Sequence, residues 1–347
     1  MGMNNNLNII YIVASEKGIS GGEKVIYRHS EKINKLSKNI TSEIIPLEKK
    51  RISKYKNSLN KILNINKKYS GWTLNDVKIK TNHKPKFFDH NPKFRKKFDF
   101  NKKTDFVILP EIFAHLANDL LKKNNIPYAI FVQNGYAINF TTNYKDLDLA
   151  YKKAKLILSV SQDTTKIINH VYGKYSKEIL NMNLAIGSDK IDFKLKKENL
   201  ITYMPRKLPF HSQKLLFLLK NKLPNNWKIK PLEKISEKVL YDNLRKSKIF
   251  LSFSFMEGLG APPIEAAKEG NKIIGYTGEG GNEYWKKPIF TKISNGDFSS
   301  FIKEILKFIK SKTSYHKFKN QRIKLLKKYS NKSEDKSLKI LINKIIK

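Results

Sequence analysis

Phe255-Met-Glu-Gly-Leu-Gly-Ala-Pro-Pro-Ile-Glu265 is the stretch from which the rest of the chain is best read. Two carboxylates, Glu257 and Glu265, stand eight residues apart, with glycines after the first and paired prolines before the second. The apolar run Ile249–Phe253 in front of it has the length and composition of a buried strand. Pro263-Ile-Glu-Ala-Ala-Lys-Glu269 behind it reads as a helix, since proline is accommodated in a first helical turn. The segment is therefore expected to be strand, glycine turn, helix. Glu257 falls in the turn and Glu265 on the first helical turns. A helix N-terminus carries partial positive charge and unpaired N–H groups that suit an anion, and a carboxylate accepts hydrogen bonds from hydroxyls.

The same rhythm extends outward in both directions. Leu7–Val13 reads as a first strand, Gly18–Gly22 as a loop, Glu23–Leu36 as an amphipathic helix and Thr41–Leu47 as a second strand. Strands are expected again at Asp105–Leu109, Tyr128–Val132 and Lys155–Ser161, with helices following the first and last of these. Residues 186–199 are polar and read as a linker. A second series follows, with strands at Leu200–Met204, Trp227–Lys230, Ile249–Phe253 and Lys272–Tyr276, and helices at Gln213–Leu223, Glu237–Arg245, Phe298–Ile309 and Lys317–Ile346. Strands alternating with helices predict parallel sheets covered on both faces. The expected organisation is residues 1–190 as one Rossmann-like domain and 198–330 as another. A C-terminal helix at 331–347 is expected to pack back on the first.

Composition narrows the class. A chain of 347 residues, 40% hydrophobic, can build two cores. It has no cysteine, which excludes disulfides and thiolate metal sites. No apolar run approaches the ~20 residues of a transmembrane helix, and Met1-Gly-Met-Asn-Asn-Asn6 lacks the basic flank of a signal peptide. A cytoplasmic location is the expectation, with peripheral contact at the inner face of the membrane. The formal charge of +39 would draw in any polyanion at low salt. The lysines are nevertheless spread along the chain, with no zinc-finger spacing and no RNA-recognition string, so no specific nucleic-acid partner is expected. The densest basic stretch, 49–103, fits an anionic membrane or an acceptor-side insertion. The seven histidines show no metal-ligand spacing, and Asp146-Leu-Asp148 follows no clear strand, so no metal is expected.

The string from Glu257 to Glu265 resembles the glutamate, glycine, proline and glutamate signature of retaining GT-B glycosyltransferases, the family-4-like enzymes, in its Glu257, Gly258, Gly260, Pro263 and Glu265. The resemblance covers most of the second half and, more loosely, the first. It implies an α/β fold of GT-B type, two doubly wound Rossmann-like domains facing a central cleft. It implies an enzyme that moves a sugar from a nucleoside-diphosphate sugar to a hydroxyl acceptor with retention, the acceptor being a glycan or a lipid-linked group in surface polysaccharide synthesis. No cofactor beyond the donor is implied.

The resemblance also assigns roles. Glu257 would lie at the transferred sugar and Glu265 at the nucleotide ribose, with Gly258, Leu259, Gly260 and Ala261 lending backbone contacts. Arg206 and Lys207 would hold the diphosphate, although Met204-Pro-Arg-Lys departs from the usual Gly-Arg pattern and Lys214 is an alternative to Lys207. Gly21 and Gly22 would face the donor phosphates, and Gly280 and Gly281 would line the donor site. Gln133-Asn134 stands where relatives carry His-Gly, which removes a histidine acid or base and leaves polar contact to a sugar. Glu111 and His115 are expected as acceptor contacts. Two other readings stay open at this point: a non-catalytic sugar- or nucleotide-binding protein on the same fold, and a charge-driven nucleic-acid binder.

Overall fold

The computed structural model describes residues 6–15, 21–50, 73–80, 91–122, 124–141, 143–190, 192–194, 196–311 and 318–347. Most of the basic 49–103 stretch, and residues 18–20 of the expected Gly18–Gly22 loop, lie outside these. The chain divides into two compact units. One comprises Met1–Val160, Thr164–Met182 and Asp335–Lys347; the other comprises Ser161–Asp163 and Asn183–Glu334.

The first unit carries an eight-stranded sheet among the described residues. Its strands are β1 (Leu7–Ala14), β2 (Ile40–Lys49), β3 (Val77–Ile79), β4 (Lys93–Phe94), β5 (Asp105–Pro110), β6 (Tyr128–Val132), β7 (Leu156–Ser159) and β8 (Ile179–Asn181). They run in the order β3-β2-β1-β5-β6-β7-β8, with β4 also on β2. Every pairing is parallel except β2 with β3. Its helices are α1 (Gly21–Leu36), α2 (Ala117–Leu121), α3 (Tyr144–Lys153) and α4 (Gln162–Tyr172). A parallel sheet covered on both faces needs continuous apolar strands, and β5 and β6 are buried at every residue. The core gathers Ile10, Ile12, Val107, Leu109, Ile130 and Val132 with Leu147 and Tyr151 of α3.

Among the described residues the second unit holds five strands, β9 (Glu198–Tyr203), β10 (Lys228–Pro231), β11 (Ser247–Glu257), β12 (Lys272–Glu279) and β13 (Phe290–Lys292), all parallel, in the order β10-β9-β11-β12-β13. Helices α5 (Pro209–Leu219), α6 (Glu237–Lys246), α7 (Ala261–Lys268), α8 (Phe298–Lys310) and α9 (Lys319–Lys328) belong to it, and α10 (Asn331–Ile346) follows. Local chemistry sets the starts. Pro209 opens α5, Ser236 accepts from the Val239 N–H ahead of α6, and Asp297 accepts from the Ser300 N–H ahead of α8. The core is Ile201, Leu215, Leu251, Ile274, Phe301 and Ile305 with their neighbours.

Several boundaries differ from expectation. Gly21 and Gly22 open α1 rather than ending a loop. β11 runs four residues past Phe253 to include Glu257, and α7 begins at Ala261, before the prolines. The helix expected from Lys317 is two helices, broken around Tyr329, which is buried. After β5 the chain first winds as a 3-10 helix, Glu111–Leu116, before α2. The short strands β3, β4, β8 and β13 carry too few apolar residues to register as a periodic run.

In a doubly wound sheet the ligand crevice lies at the carboxyl ends of the strands, where the winding reverses. In the first unit the reversal falls between β1 and β5. In the second it falls between β9 and β11, the pair that ends at Tyr203 and Glu257.

Candidate functional site

The second unit brings the main charged candidates together at its reversal point. Met204, Arg206 and Lys207 leave β9, Glu257 ends β11, and Pro262 and Pro263 stand in the first turn of α7; all of these line one cavity of about 50 Å³. Lys207 Nζ lies 3.0 Å from Glu257 Oε1. Their side chains are 38% and 23% exposed, so water screens the pair and it contributes roughly 0–1 kcal/mol to stability. An ion pair that weak can be exchanged for a ligand anion at little cost. Lys214, the alternative cation, instead sits 5.7 Å over the Phe210 ring and does not line the cavity.

The glycine turn is fixed from behind. The Ser161 hydroxyl donates to the Gly258 carbonyl at 2.5 Å, and the Tyr284 hydroxyl donates to the Gly260 carbonyl at 2.7 Å. Across a trans peptide the following N–H points opposite to the carbonyl. The N–H groups of Leu259 and Ala261 are therefore turned away from Ser161 and Tyr284. Gly260 has φ +76, a left-handed conformation that favours glycine, and it forms the N-cap of α7. Pro262 and Pro263 lack N–H groups, so this helix start has fewer donors for an anion than an ordinary one. Charge compensation in this cavity thus rests mainly on Arg206 and Lys207.

Gly280 is the steric keystone of the same turn. A Cβ there would stand 2.1 Å from the Gly258 carbonyl oxygen and 2.6 Å from that of Glu257, both backbone atoms that cannot swing aside. Gly280→Ala is expected to cost about 2–3 kcal/mol, read as a lowered denaturant midpoint. Gly22→Ala is expected to cost much less, because the atom its Cβ would meet is the end of the flexible Gln133 side chain. Gly281 packs against Tyr284, and a Cβ there would be 3.1 Å from its hydroxyl.

Glu265, on α7, accepts a hydrogen bond from Tyr241 of α6 at 3.0 Å. Burial and the neighbouring carboxylates raise the Tyr241 pKa far above its ordinary value, so the phenol stays protonated and donates at every physiological pH. Gly187 closes the third side. A Cβ on it would lie 3.6 Å from both the Tyr241 hydroxyl and Glu265 Cγ. Tyr241 was not legible beforehand, since nothing in the sequence ties it to a residue twenty-four positions on.

Two further carboxylates belong to this end of the sheet. Glu279 pairs in register with Glu257 across β11 and β12, and its Oε2 lies 3.3 Å from the Met256 N–H it accepts from. Its φ of 63 and ψ of −62 are unusual for a non-glycine residue. Glu283 is held by the Gln162 N–H at 2.8 Å, by Lys328 at 2.6 Å and by the Tyr329 hydroxyl at 3.2 Å, which makes it an anchor for the turn Gly280–Glu283.

The first-unit candidates also converge. The Gln133 carboxamide donates to the Gly22 carbonyl at 3.1 Å, so the loop after β6 touches the start of α1. Glu111, expected as an acceptor contact, holds the backbone after β6. It is 5% exposed, and its two oxygens accept from the backbone N–H groups of Gln133 (3.1 Å) and Asn134 (3.0 Å). The Asn134 side chain accepts from the Tyr136 N–H at 3.1 Å and caps the short 3-10 turn that follows. Burial pushes the Glu111 carboxyl up to about 7 despite those hydrogen bonds. His115 is buried in the same 3-10 helix rather than presented on a surface. Asp146 and Asp148 lie on α3, where Asp146 bonds with Asn143 and Asp148 pairs with Lys174 and Tyr175. Among the described residues no group of three His, Asp or Glu side chains is arranged to hold a metal ion.

No family model matches the chain, and no curated protein matches it in sequence. Solved structures do match it in three dimensions. A variant of S. aureus TarM, in complex with fondaparinux, alpha-GlcNAc-glycerol and UDP, superposes with a TM-score of 0.65 at 12% identity, over 98% of this chain and 100% of that one. The lipopolysaccharide outer core galactosyltransferase WaaB, in its apo form, gives 0.59 at 13% identity, over 98% and 99%. Sucrose-phosphate synthase from Thermosynechococcus elongatus gives 0.63 at 9% identity, over 98% and 99%. These likenesses show the fold: it is that of GT-B proteins, built on two Rossmann-like domains.

Proposed function

We propose that the protein is a glycosyltransferase that moves a sugar from a nucleoside-diphosphate sugar to a hydroxyl of a glycan or lipid-linked acceptor, with retention, in surface glycan or polysaccharide synthesis. The observation that carries this reading is the convergence of Arg206, Lys207 and Glu257 on one cavity at the reversal point of the second sheet. The separately anchored Glu265 on the next helix supports it.

In this reading Arg206 and Lys207 take the diphosphate, whose negative charge grows as the anomeric C–O bond breaks. Lys207 exchanges its pairing with Glu257 for the phosphate and releases the carboxylate to the sugar hydroxyls. The acceptor oxygen bonds to the anomeric carbon on the face the diphosphate leaves, and the acceptor's proton passes to the departing phosphate oxygen. Leu259 and Ala261 offer N–H donors, and Glu265 accepts from the ribose hydroxyls. TarM, crystallised with UDP and a glycerol-linked GlcNAc, supports a nucleotide-sugar donor and a hydroxyl acceptor by analogy. Peripheral contact with an anionic membrane belongs to the same reading through the lipid-linked acceptor.

The test is a screen of nucleotide sugars for donor hydrolysis and transfer, comparing the native chain with Glu257→Ala and Glu265→Ala. Native turnover on at least one donor is expected, with a loss of about 100-fold or more in Glu257→Ala. Equal turnover in all three proteins removes the site assignment. Nucleotide binding by the native chain with no turnover on any donor favours the non-catalytic alternative.

A further inference from the structure

Helix α5 is apolar on two opposite sides. Leu215 and Leu219 are fully buried against the second sheet. On the far side Phe210 and Phe217, seven residues apart and so nearly in line along the helix, are 66% and 75% exposed, and Leu218 beside them is exposed as well. A helix that is apolar all round is normally buried, and single exposed apolar residues need no explanation, whereas a ridge of two phenylalanines and a leucine does. Lys214 lies between the two rings in sequence and sits over the first at 5.7 Å.

Charge names the kind of surface that would cover this ridge. Between Glu198 and Glu233 the chain has no acidic residue and seven basic ones: Arg206, Lys207, Lys214, Lys220, Lys222, Lys228 and Lys230. Arg206 and Lys207 precede α5, Lys220 and Lys222 follow it, and Lys228 and Lys230 lie on β10, the edge strand of the sheet. Aromatic and leucine side chains flanked by lysines on one exposed helix face match the requirements of an interfacial segment. The apolar groups enter the boundary of the acyl chains while the cations stay among anionic headgroups, and lysine stems reach along the apolar surface to do so. No described helix is long and apolar enough to cross a membrane. We infer that the Phe210–Phe217–Leu218 ridge of α5, with Lys214 between its rings and the basic segments that flank the helix, is a docking surface for an anionic lipid bilayer. This puts a membrane contact on the second unit, next to the segment that carries Arg206 and Lys207.

The experiment uses the full chain and vesicles, with no nucleotide present, so that its outcome is independent of the donor-site reading. Cosedimentation is measured with vesicles of phosphatidylcholine alone and with roughly one part in three phosphatidylglycerol. The native chain is expected to pellet with the anionic vesicles only. Because the whole protein is strongly basic, the deciding variant leaves charge untouched: Phe210→Ser with Phe217→Ser is expected to lower partitioning about tenfold or more. Equal pelleting of native and variant chains overturns the proposal and leaves only bulk charge. As a check that does not depend on removing apolar groups, Phe217→Trp is expected to add indole fluorescence to that of the native chain's three tryptophans, and lipids brominated in their acyl chains are expected to quench this added emission. Quenching by aqueous iodide alone, with vesicles bound, overturns it too. So does a native dimer that dissociates in the serine variant while vesicle binding is unchanged, which would assign the ridge to a second copy of the chain.

Discussion

Glu265→Ala is expected to weaken nucleoside-diphosphate binding by about 100-fold, and Tyr241→Phe by about fivefold. The difference follows from what each change removes. Alanine at 265 takes away the carboxylate that would accept two ribose hydroxyls, and charge-assisted bonds of that kind contribute roughly 1.5–3 kcal/mol each. Phenylalanine at 241 leaves the carboxylate in place and removes only the hydroxyl that holds Oε1 at 3.0 Å. A carboxylate without that donor can turn about its terminal torsion, which is broad for glutamate, so the cost is one of orientation. Calorimetric titration with a nucleoside diphosphate and its 2′-deoxy counterpart separates this account from simple loss of folding. The native chain should prefer the ribonucleotide by about tenfold or more, Tyr241→Phe should keep part of that preference, and Glu265→Ala should lose it. If the native chain binds both nucleotides equally, Glu265 does not hold the ribose. If Tyr241→Phe discriminates as well as the native chain, the phenol does not position the carboxylate.

The contrast between Glu265 and Glu111 shows what a linear sequence conveys here. The strand–turn–helix around Glu257 was legible because its signals are local: an apolar run, glycines, then prolines in a first helical turn. The parallel sheets were legible for the same reason, through β1, β5, β6, β11 and β12, each a run of buried residues. Arg206 and Lys207 could be placed after a strand, and their meeting with Glu257 followed from the rule about carboxyl ends. Whatever depends on long-range register was hidden. Tyr241 meets Glu265 because α6 and α7 flank the same strand. Glu279 meets Glu257 because β11 and β12 pair in register after a bulge between Ser254 and Glu257. Glu111 is expected from the sequence as an acceptor contact after a strand, and nothing in its neighbours shows that the N–H groups after β6 are aimed at it. Gly280 is expected from the sequence only to line the donor site. Its real constraint is the Gly258 carbonyl, twenty-two residues away in sequence.

That buried carboxylate leads to the other large effect. Glu111 has a folded-state pKa raised to about 7 from an ordinary 4.5, chiefly by burial, with the N–H groups of Gln133 and Asn134 pulling it back down. Tyr151 of α3 is the neighbouring titratable group, itself buried, and it stays protonated because Glu111 and burial both raise its pKa. A raised folded pKa means that the native state holds the proton more tightly than the unfolded chain. The stabilisation is therefore complete below about pH 4.5 and is lost as pH rises through about 7, a fall on the order of 3 kcal/mol at 1.36 kcal/mol per pH unit. Buried lysines of the second unit work in the opposite sense. Lys197 is lowered to about 7 and Lys268 and Lys272 to about 8, all chiefly by burial, so their contribution is present above the ordinary lysine value and is lost as pH falls through those values. The two trends overlap near neutrality, and a native stability curve alone cannot separate them. Glu111→Gln does, because an amide of the same shape cannot ionise while every lysine remains. Denaturant titrations of both proteins from pH 5 to pH 8 should give a difference that shifts in the variant's favour by about 2–3 kcal/mol across the window. The variant begins lower, since its NH2 group faces one backbone N–H that the carboxyl oxygen had satisfied. Parallel curves for the two proteins would mean that Glu111 titrates as an ordinary carboxylate. The contact between the loop after β6 and Gly22 would then owe nothing to a buried proton.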